Sequence, residues 1–168
     1  EIADALFGRP LGIPKTGVFG LYDLIGIDLM KDVLASFKKE LQEDDPFMDV
    51  VKPHPLVEQL LDKGYNGNKG PGGFYQTTIV EGDEHVKAMN TSDMSYYDFD
   101  KVDLEIARRV EKEGIKALLD DDSEYGRYAF AVLAKIINYS AFCIPEVASR
   151  VTDIDLSLIH ISEPTRPN

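Results

Sequence analysis

The chain has 168 residues, 43% of them apolar and 29% charged, which suits one good core or two small ones in a globular protein. With 30 acidic against 18 basic residues its formal charge is -12, which argues against nucleic acid or an anionic membrane surface as partner, because phosphate binding needs clustered Lys and Arg. Cys143 is the sole cysteine, so an internal disulfide is excluded; no Cys/His group has zinc-ligand spacing, and a reducing cytoplasm is the simplest compartment. No apolar run reaches the roughly 18 residues of a membrane span. Glu1 is neither an initiator Met nor part of a basic-then-apolar leader, so the chain is expected to begin within a longer protein.

Residues 1–20 are rich in Gly and Pro and read as a loop, with Thr16 placed to cap a helix starting near Val18. Ile27, Met30, Leu34, Phe37 and Leu41 recur at three- and four-residue steps, which is the pattern of an amphipathic helix. Gly26 separates this helix from the Gly20–Ile25 segment, giving two helices that meet at a bend, and the second ends in Glu43 to Asp45 before Pro46. Pro55 suits the first turn of a further helix that runs to about Lys63 and stops at Gly64.

The run Asn66-Gly67-Asn68-Lys69-Gly70-Pro71-Gly72-Gly73 holds no regular structure by composition, and Phe74 to Val80 has strand composition. A second strand after the Glu81-Gly82-Asp83 turn makes a small hairpin near residues 74–88. Residues 88–102 lack periodicity and read as a linker. Asp103 is placed to cap a helix from Leu104 to about Leu119, with Ile106, Val110 and Ala117 inward. The last helix, from about Glu124 to Phe142, is apolar nearly all round through Phe130, Leu133, Ile136, Ile137 and Ala141. Such a helix is expected to dock on the earlier helices or on a partner. The fold class expected is mainly α with a small β-hairpin.

The stretch Gly17-Val18-Phe19-Gly20-Leu21-Tyr22-Asp23-Leu24-Ile25-Gly26-Ile27-Asp28, opened by Gly8-Arg9-Pro10 and by Gly12-Ile13-Pro14-Lys15-Thr16, resembles the C-terminal domain of the L-3-hydroxyacyl-CoA dehydrogenases. There a Gly-Pro-Phe-like turn opens a short helix ending in Asp-x-x-Gly-Leu-Asp; Val18 stands where the family usually has Pro. Leu60 to Tyr65 followed by Lys69-Gly70-Pro71-Gly72-Gly73-Phe74-Tyr75 is similar to the helix, Gly/Lys-rich loop and aromatic pair that end the same domain. A weaker likeness, from Gly126 to Asp155, resembles the segment that opens such a domain, and Glu1-Ile2-Ala3-Asp4-Ala5 looks like the tail of that segment in an earlier copy. Long members carry two copies in tandem, often behind an enoyl-CoA hydratase domain and a dinucleotide-binding domain.

The resemblance covers residues 1–80 and 124–155. It implies the later part of a first copy at 1–87, a linker and connecting helix at 88–123, and the opening of a second copy at 124–155. Residues 156–168, from Leu156 to Arg166 above all, look like a translated sequencing adapter and are set aside.

The family passes hydride from a 3-hydroxyacyl-CoA to NAD with a His base oriented by a Glu, both on the dinucleotide-binding domain. Neither can be placed here, and no Gly-x-Gly-x-x-Gly follows a strand and opens a helix. The resemblance therefore implies NAD bound by a domain outside this chain and a piece inactive by itself. It further implies a part that covers the 3-hydroxyacyl-CoA substrate and dimerises as a homo-oligomer in fatty-acid β-oxidation. An Asn that the family uses lies upstream of Glu1, and Phe130 stands at the equivalent place in the second copy, so that role is not transferred.

Thr16, Gly17, Val18 and Phe19 match the turn that faces the acyl chain, against a plain alternative of a helix cap with Phe19 in the core. The loop at 66–73 could cradle a CoA phosphate with Lys69 nearby, or be a turn before a strand. His54 and His85 have no partner at readable spacing and read as loop residues rather than bases. Asp120, Asp121 and Asp122 could suggest a metal, but consecutive residues diverge at a helix end, so a solvated charge run is favoured. The rival reading is a free-standing helical module that binds another protein through the helix at 124–142.

Overall fold

In a computed structural model, residues 1–11, 16–99 and 102–154 are described. The remaining residues fall outside that description, and with them part of the glycine-rich segment before Thr16, Asp155 and the adapter-like tail at 156–168. The chain is mainly helical with a small antiparallel sheet, as its patterning leads one to expect.

Helix α1 spans Ile2–Leu6 and α2 spans Gly17–Ile25. Gly26, at φ 99°, breaks the chain between α2 and α3, which runs over Ile27–Glu40. That backbone conformation is available to glycine without the steric cost a Cβ imposes. Of the apolar stripe on α3 only Ile27 is fully buried; Met30 and Leu34 are half-buried, and Phe37 is exposed beside Phe47 at a ring distance of 5.2 Å.

Helix α4 spans Pro55–Asp62, with Pro55 at its first position and the His54 Nδ1 accepting from the Leu56 N–H at 3.3 Å. His54 is thus a helix cap. Gly64, at φ 78°, lets the chain turn away after α4.

Strands β1 (Tyr75–Val80) and β2 (Asp83–Met89) pair antiparallel from Tyr75↔Ala88 to Val80↔Asp83. Glu81 and Gly82 both have positive φ, the geometry of a two-residue hairpin turn that matches strand twist. The hairpin gains a third strand, β3 (Tyr96–Asp98), paired through Met89↔Tyr96. It lies inside the segment expected as a linker. The connection is stiffened locally, because Asn90 Oδ1 accepts from Ser92 N at 2.9 Å and Asn90 N donates to Ser95 O at 2.8 Å.

The core joins these pieces. Ile27, Leu60, Phe74 and Met89 are buried together, with Phe19, Tyr22, Tyr75 and Tyr96 among the half-buried residues packed on them. Burying each such side chain stabilises by about 1.5–3 kcal/mol, so an element with one buried residue still gains by docking here.

The helix expected over 104–119 divides into α5 (Glu105–Glu113) and α6 (Lys116–Leu119). Gly114 takes φ 79° and ends α5 by donating to Val110 O. Asp103 caps nothing; its carboxylate pairs with Arg108 Nε at 3.1 Å, and Leu104 holds the cap position without a side-chain bond. Ile106, Val110 and Ala117 do point inward and are buried, with Leu118.

Helix α7 runs from Glu124 to Val147, past the expected end at Phe142. The first compact unit covers Glu1–Ala129, so the opening residues of α7 belong to it, and there the Tyr128 ring meets Phe7 edge-on at 5.8 Å. The second unit starts at Phe130. Within it Tyr139 stacks on Phe142 at 6.2 Å and Arg150 pairs with Asp153 at 2.9 Å. Phe130, Ile136, Ile137, Phe142 and Val147 are exposed along α7. Among the described residues no helix is long and apolar enough to cross a membrane.

Candidate functional site

The N-terminus of α2 presents backbone N–H groups with no partner inside the helix. Thr16, the expected cap, makes no capping bond; its hydroxyl donates instead to Gly17 O at 3.2 Å. Asp4, on α1, does the work. Its Oδ1 accepts from Phe19 N at 2.8 Å, and its Oδ2 accepts from Gly20 N at 3.1 Å and from the Tyr75 hydroxyl at 2.8 Å. A carboxylate at a helix N-terminus is favoured by both hydrogen bonding and the helix dipole.

A second carboxylate organises the other side. Asp23, near the end of α2 and 4% exposed, accepts from Phe74 N at 2.9 Å and from Tyr75 N at 2.6 Å, while its backbone carbonyl accepts from Asn68 N at 2.8 Å. The glycine-rich loop therefore closes around Asp23. A Cβ on Gly67 would stand 2.3 Å from Asp23 O, and one on Gly73 would stand 2.0 Å from Asp23 Oδ1, so both positions need glycine for close approach. Burial pushes the Asp23 carboxyl above its ordinary range, opposed by the two N–H donors and reinforced by the nearby charge of Asp4. The Tyr75 hydroxyl is driven far above its ordinary value by burial and then by the charge of Asp4. Burial also raises Tyr96, to about 12; its hydroxyl donates to Gly73 O at 2.8 Å.

This arrangement does not fit a phosphate or dinucleotide cradle. Four of the loop's N–H groups are engaged within the protein, Asn68 with the Asp23 carbonyl, Lys69 with Asn66 O, Gly70 with Gly67 O and Gly73 with Tyr75 O, and the Asp23 carboxylate accepts from the Phe74 N–H that follows. Lys69 Nζ is paired with Asp28 at 3.2 Å, and the Asp28 carboxyl is held below its ordinary range first by hydrogen bonding with Asn66, then by the Leu29 N–H and Lys69. The carboxylates this loop meets are Asp23 of α2 and Asp28 of α3.

Beside these carboxylates lies an open cleft of about 390 Å³, lined by Phe19, Phe74, Tyr75, Ala88, Met89 and Tyr97 together with the polar Glu1, Asn90 and Thr91. Of the four residues proposed to line substrate, Phe19 reaches this cleft, its ring tilted against Phe74 at a centroid distance of 4.8 Å. Gly17 is buried at φ 71° against Asp4, Val18 is half-buried, and Thr16 is exposed. The cleft brings no His/carboxylate pair together. His54 caps α4; His85 is exposed in β2, where its carbonyl accepts from the Thr78 hydroxyl at 3.4 Å. The three aspartates at 120–122 serve separate partners. Asp120 pairs with Lys116, Asp121 with Arg109 at 3.2 Å and with Ser123 N at 2.9 Å, and the Asp122 carbonyl accepts from Arg127.

Asp4, Asp23 and Tyr75 form a group that no local spacing rule marks, because Tyr75 meets Asp23 across 52 positions of chain and Asp4 across 71. The one available signal was the Glu1 to Ala5 likeness, which marks where Asp4 sits without saying what it holds.

The site thus consists of a cleft of mixed lining beside two aspartates engaged in structural hydrogen bonds. Residues 1–77 match the family described as 3-hydroxyacyl-CoA dehydrogenase, C-terminal domain, and the chain belongs to that family through them. It is 32% identical over 155 residues to a putative fatty acid oxidation complex trifunctional enzyme of Rickettsia prowazekii, covering 92% of this chain and 21% of that protein. The corresponding protein of Rickettsia felis is 33% identical over the same shares. A probable 3-hydroxyacyl-CoA dehydrogenase of Bacillus subtilis is 26% identical over 92% of this chain and 20% of its own length. The chain thus spans about a fifth of the length of these relatives. No solved structure matches it.

Proposed function

We propose that this chain is the substrate-covering and dimerisation part of an NAD-dependent 3-hydroxyacyl-CoA dehydrogenase of fatty-acid oxidation. The observation that carries the reading is the likeness to the Rickettsia proteins over 155 residues, far beyond the 77 that match the family domain. In this reading residues 1–87 are the later part of one C-terminal domain, 88–123 connect, and 124–155 open a second. In this reading the dinucleotide is held elsewhere in the parent protein, which the engagement of Lys69 and of the Asn68, Lys69, Gly70 and Gly73 N–H groups in the loop at 66–73 supports. This chain supplies apolar wall: Phe19, Phe74, Tyr75 and Met89 exclude water from an acyl chain.

The test is to express the parent gene and follow NADH formation from 3-hydroxyacyl-CoA substrates. Activity in the parent and none in this chain alone supports the proposal; a parent that forms no NADH with any acyl length sinks it. The exposed Phe130, Ile136, Ile137 and Phe142 on α7 favour a second reading, a helical interaction module, which predicts a parent protein indifferent to 3-hydroxyacyl-CoA.

A further inference from the structure

One carboxylate holds two walls of the cleft. Asp4 lies outside the cleft lining, yet it binds the amides of Phe19 and Gly20 and the hydroxyl of Tyr75. Phe19 and Tyr75 come from different elements, α2 and β1, and both face the cleft. Nothing else among the bonds described joins the α2 turn to a strand side chain in this way. We infer that Asp4 is a positioning residue for acyl binding, fixing the cleft residues Phe19 and Tyr75 relative to each other. The inference rests on the substrate-covering reading above.

Space around Asp4 agrees with a dedicated seat. A Cβ on Gly17 would stand 2.4 Å from Asp4 Cβ, and one on Gly8 would stand 2.7 Å from Asp4 O, so two glycines clear room for the aspartate from two segments. Asn at position 4 keeps the shape but replaces one acceptor oxygen with an NH₂, so either the Phe19 N–H or, in the other amide orientation, the Gly20 N–H and the Tyr75 hydroxyl lose their acceptor. The α2 turn then shifts relative to β1. An acyl chain long enough to lie against both rings feels that shift; a four-carbon acyl group, which ends nearer the thioester, feels it less.

Two measurements test this. In this chain, D4N should speed hydrogen exchange of the Phe19 and Gly20 amides about tenfold, by weakening charge-assisted bonds. In the parent protein, D4N should raise KM about tenfold for a long-chain 3-hydroxyacyl-CoA and less than about twofold for the four-carbon substrate. Y75F, which keeps both backbone bonds to Asp4, should show the same chain-length contrast at smaller size, and it preserves the test if D4N folds poorly. Unchanged exchange overturns the geometry of the proposal. Equal KM effects at both chain lengths in an active enzyme overturn the positioning role, and they leave the dehydrogenase reading intact. A parent inactive on every acyl length overturns both.

Discussion

Asp23 and Tyr75 are 52 positions apart in sequence, and the Asp23 Oδ2 accepts the Tyr75 backbone N–H at 2.6 Å. With the Phe74 N–H on the other oxygen, this carboxylate replaces the strand partner that the start of β1 lacks on that side. Asp23→Asn keeps one acceptor and turns its amide against the other N–H donor. We expect a loss of about 2 kcal/mol in urea unfolding, and about 3 kcal/mol for Asp23→Ala, which leaves two N–H groups buried and unpaired. A D23A stability equal to wild type would show that water or another group takes over both donors.

Glycines in and just before the loop at 66–73 should separate crowding from backbone strain. Gly64 at φ 78° has open space around a prospective Cβ, so Gly64→Ala meets only the left-handed backbone cost, about 1 kcal/mol. Gly73→Ala drives a methyl to 2.0 Å from Asp23 Oδ1, and Gly67→Ala to 2.3 Å from Asp23 O, so each should cost more than about 2 kcal/mol. Thermal unfolding of the three variants checks the order.

Alkaline pH offers a third check. Tyr22, Tyr75 and Tyr96 are all raised above the ordinary 10.0, by burial first in each case, with Tyr96 at about 12. The unfolded chain releases these protons first. Their contribution is therefore whole below pH 10 and is lost as pH rises through the folded-state values. Ultraviolet titration of tyrosinate should find late-ionising groups among the eight tyrosines of the native chain, all reverting to ordinary values in urea. Stability should fall above pH 10, and less steeply in Tyr96→Phe. A single ordinary titration step in the native protein would contradict the burial described.

The loop at 66–73 should ignore phosphate. Because Asn68, Lys69, Gly70 and Phe74 spend their N–H groups internally, adding CoA or inorganic phosphate should leave their amide resonances in place. Lys69→Ala should likewise change little, since its pair with Asp28 is half exposed and solvent already screens it. Phosphate-dependent shifts confined to this loop would restore it as an anion site.

Local grammar was readable where cause and effect lie within one turn of chain. Ile27–Glu40 announces itself by apolar spacing, α4 by Pro55 and Gly64, and the hairpin by Glu81-Gly82 between strand-forming runs. Gly114 carried the signal that divides α5 from α6, but the apolar pattern through Ala117 reads across it, because a single glycine lowers helix propensity by only about 1 kcal/mol. Strand β3 is three residues long and has too few positions for a period to appear.

The sequence by itself determined the helical character, the acidic surface and, through two ordered turn motifs, the family. Tertiary structure alone decided that Asp4 rather than Thr16 caps α2, that the glycine-rich loop wraps Asp23, and that Phe19 and Tyr75 share a wall. Capping, loop closure and wall-building here depend on groups brought within 3 Å across tens of residues, and hydrogen-bond energy falls off too steeply with distance for linear spacing to reveal such partners.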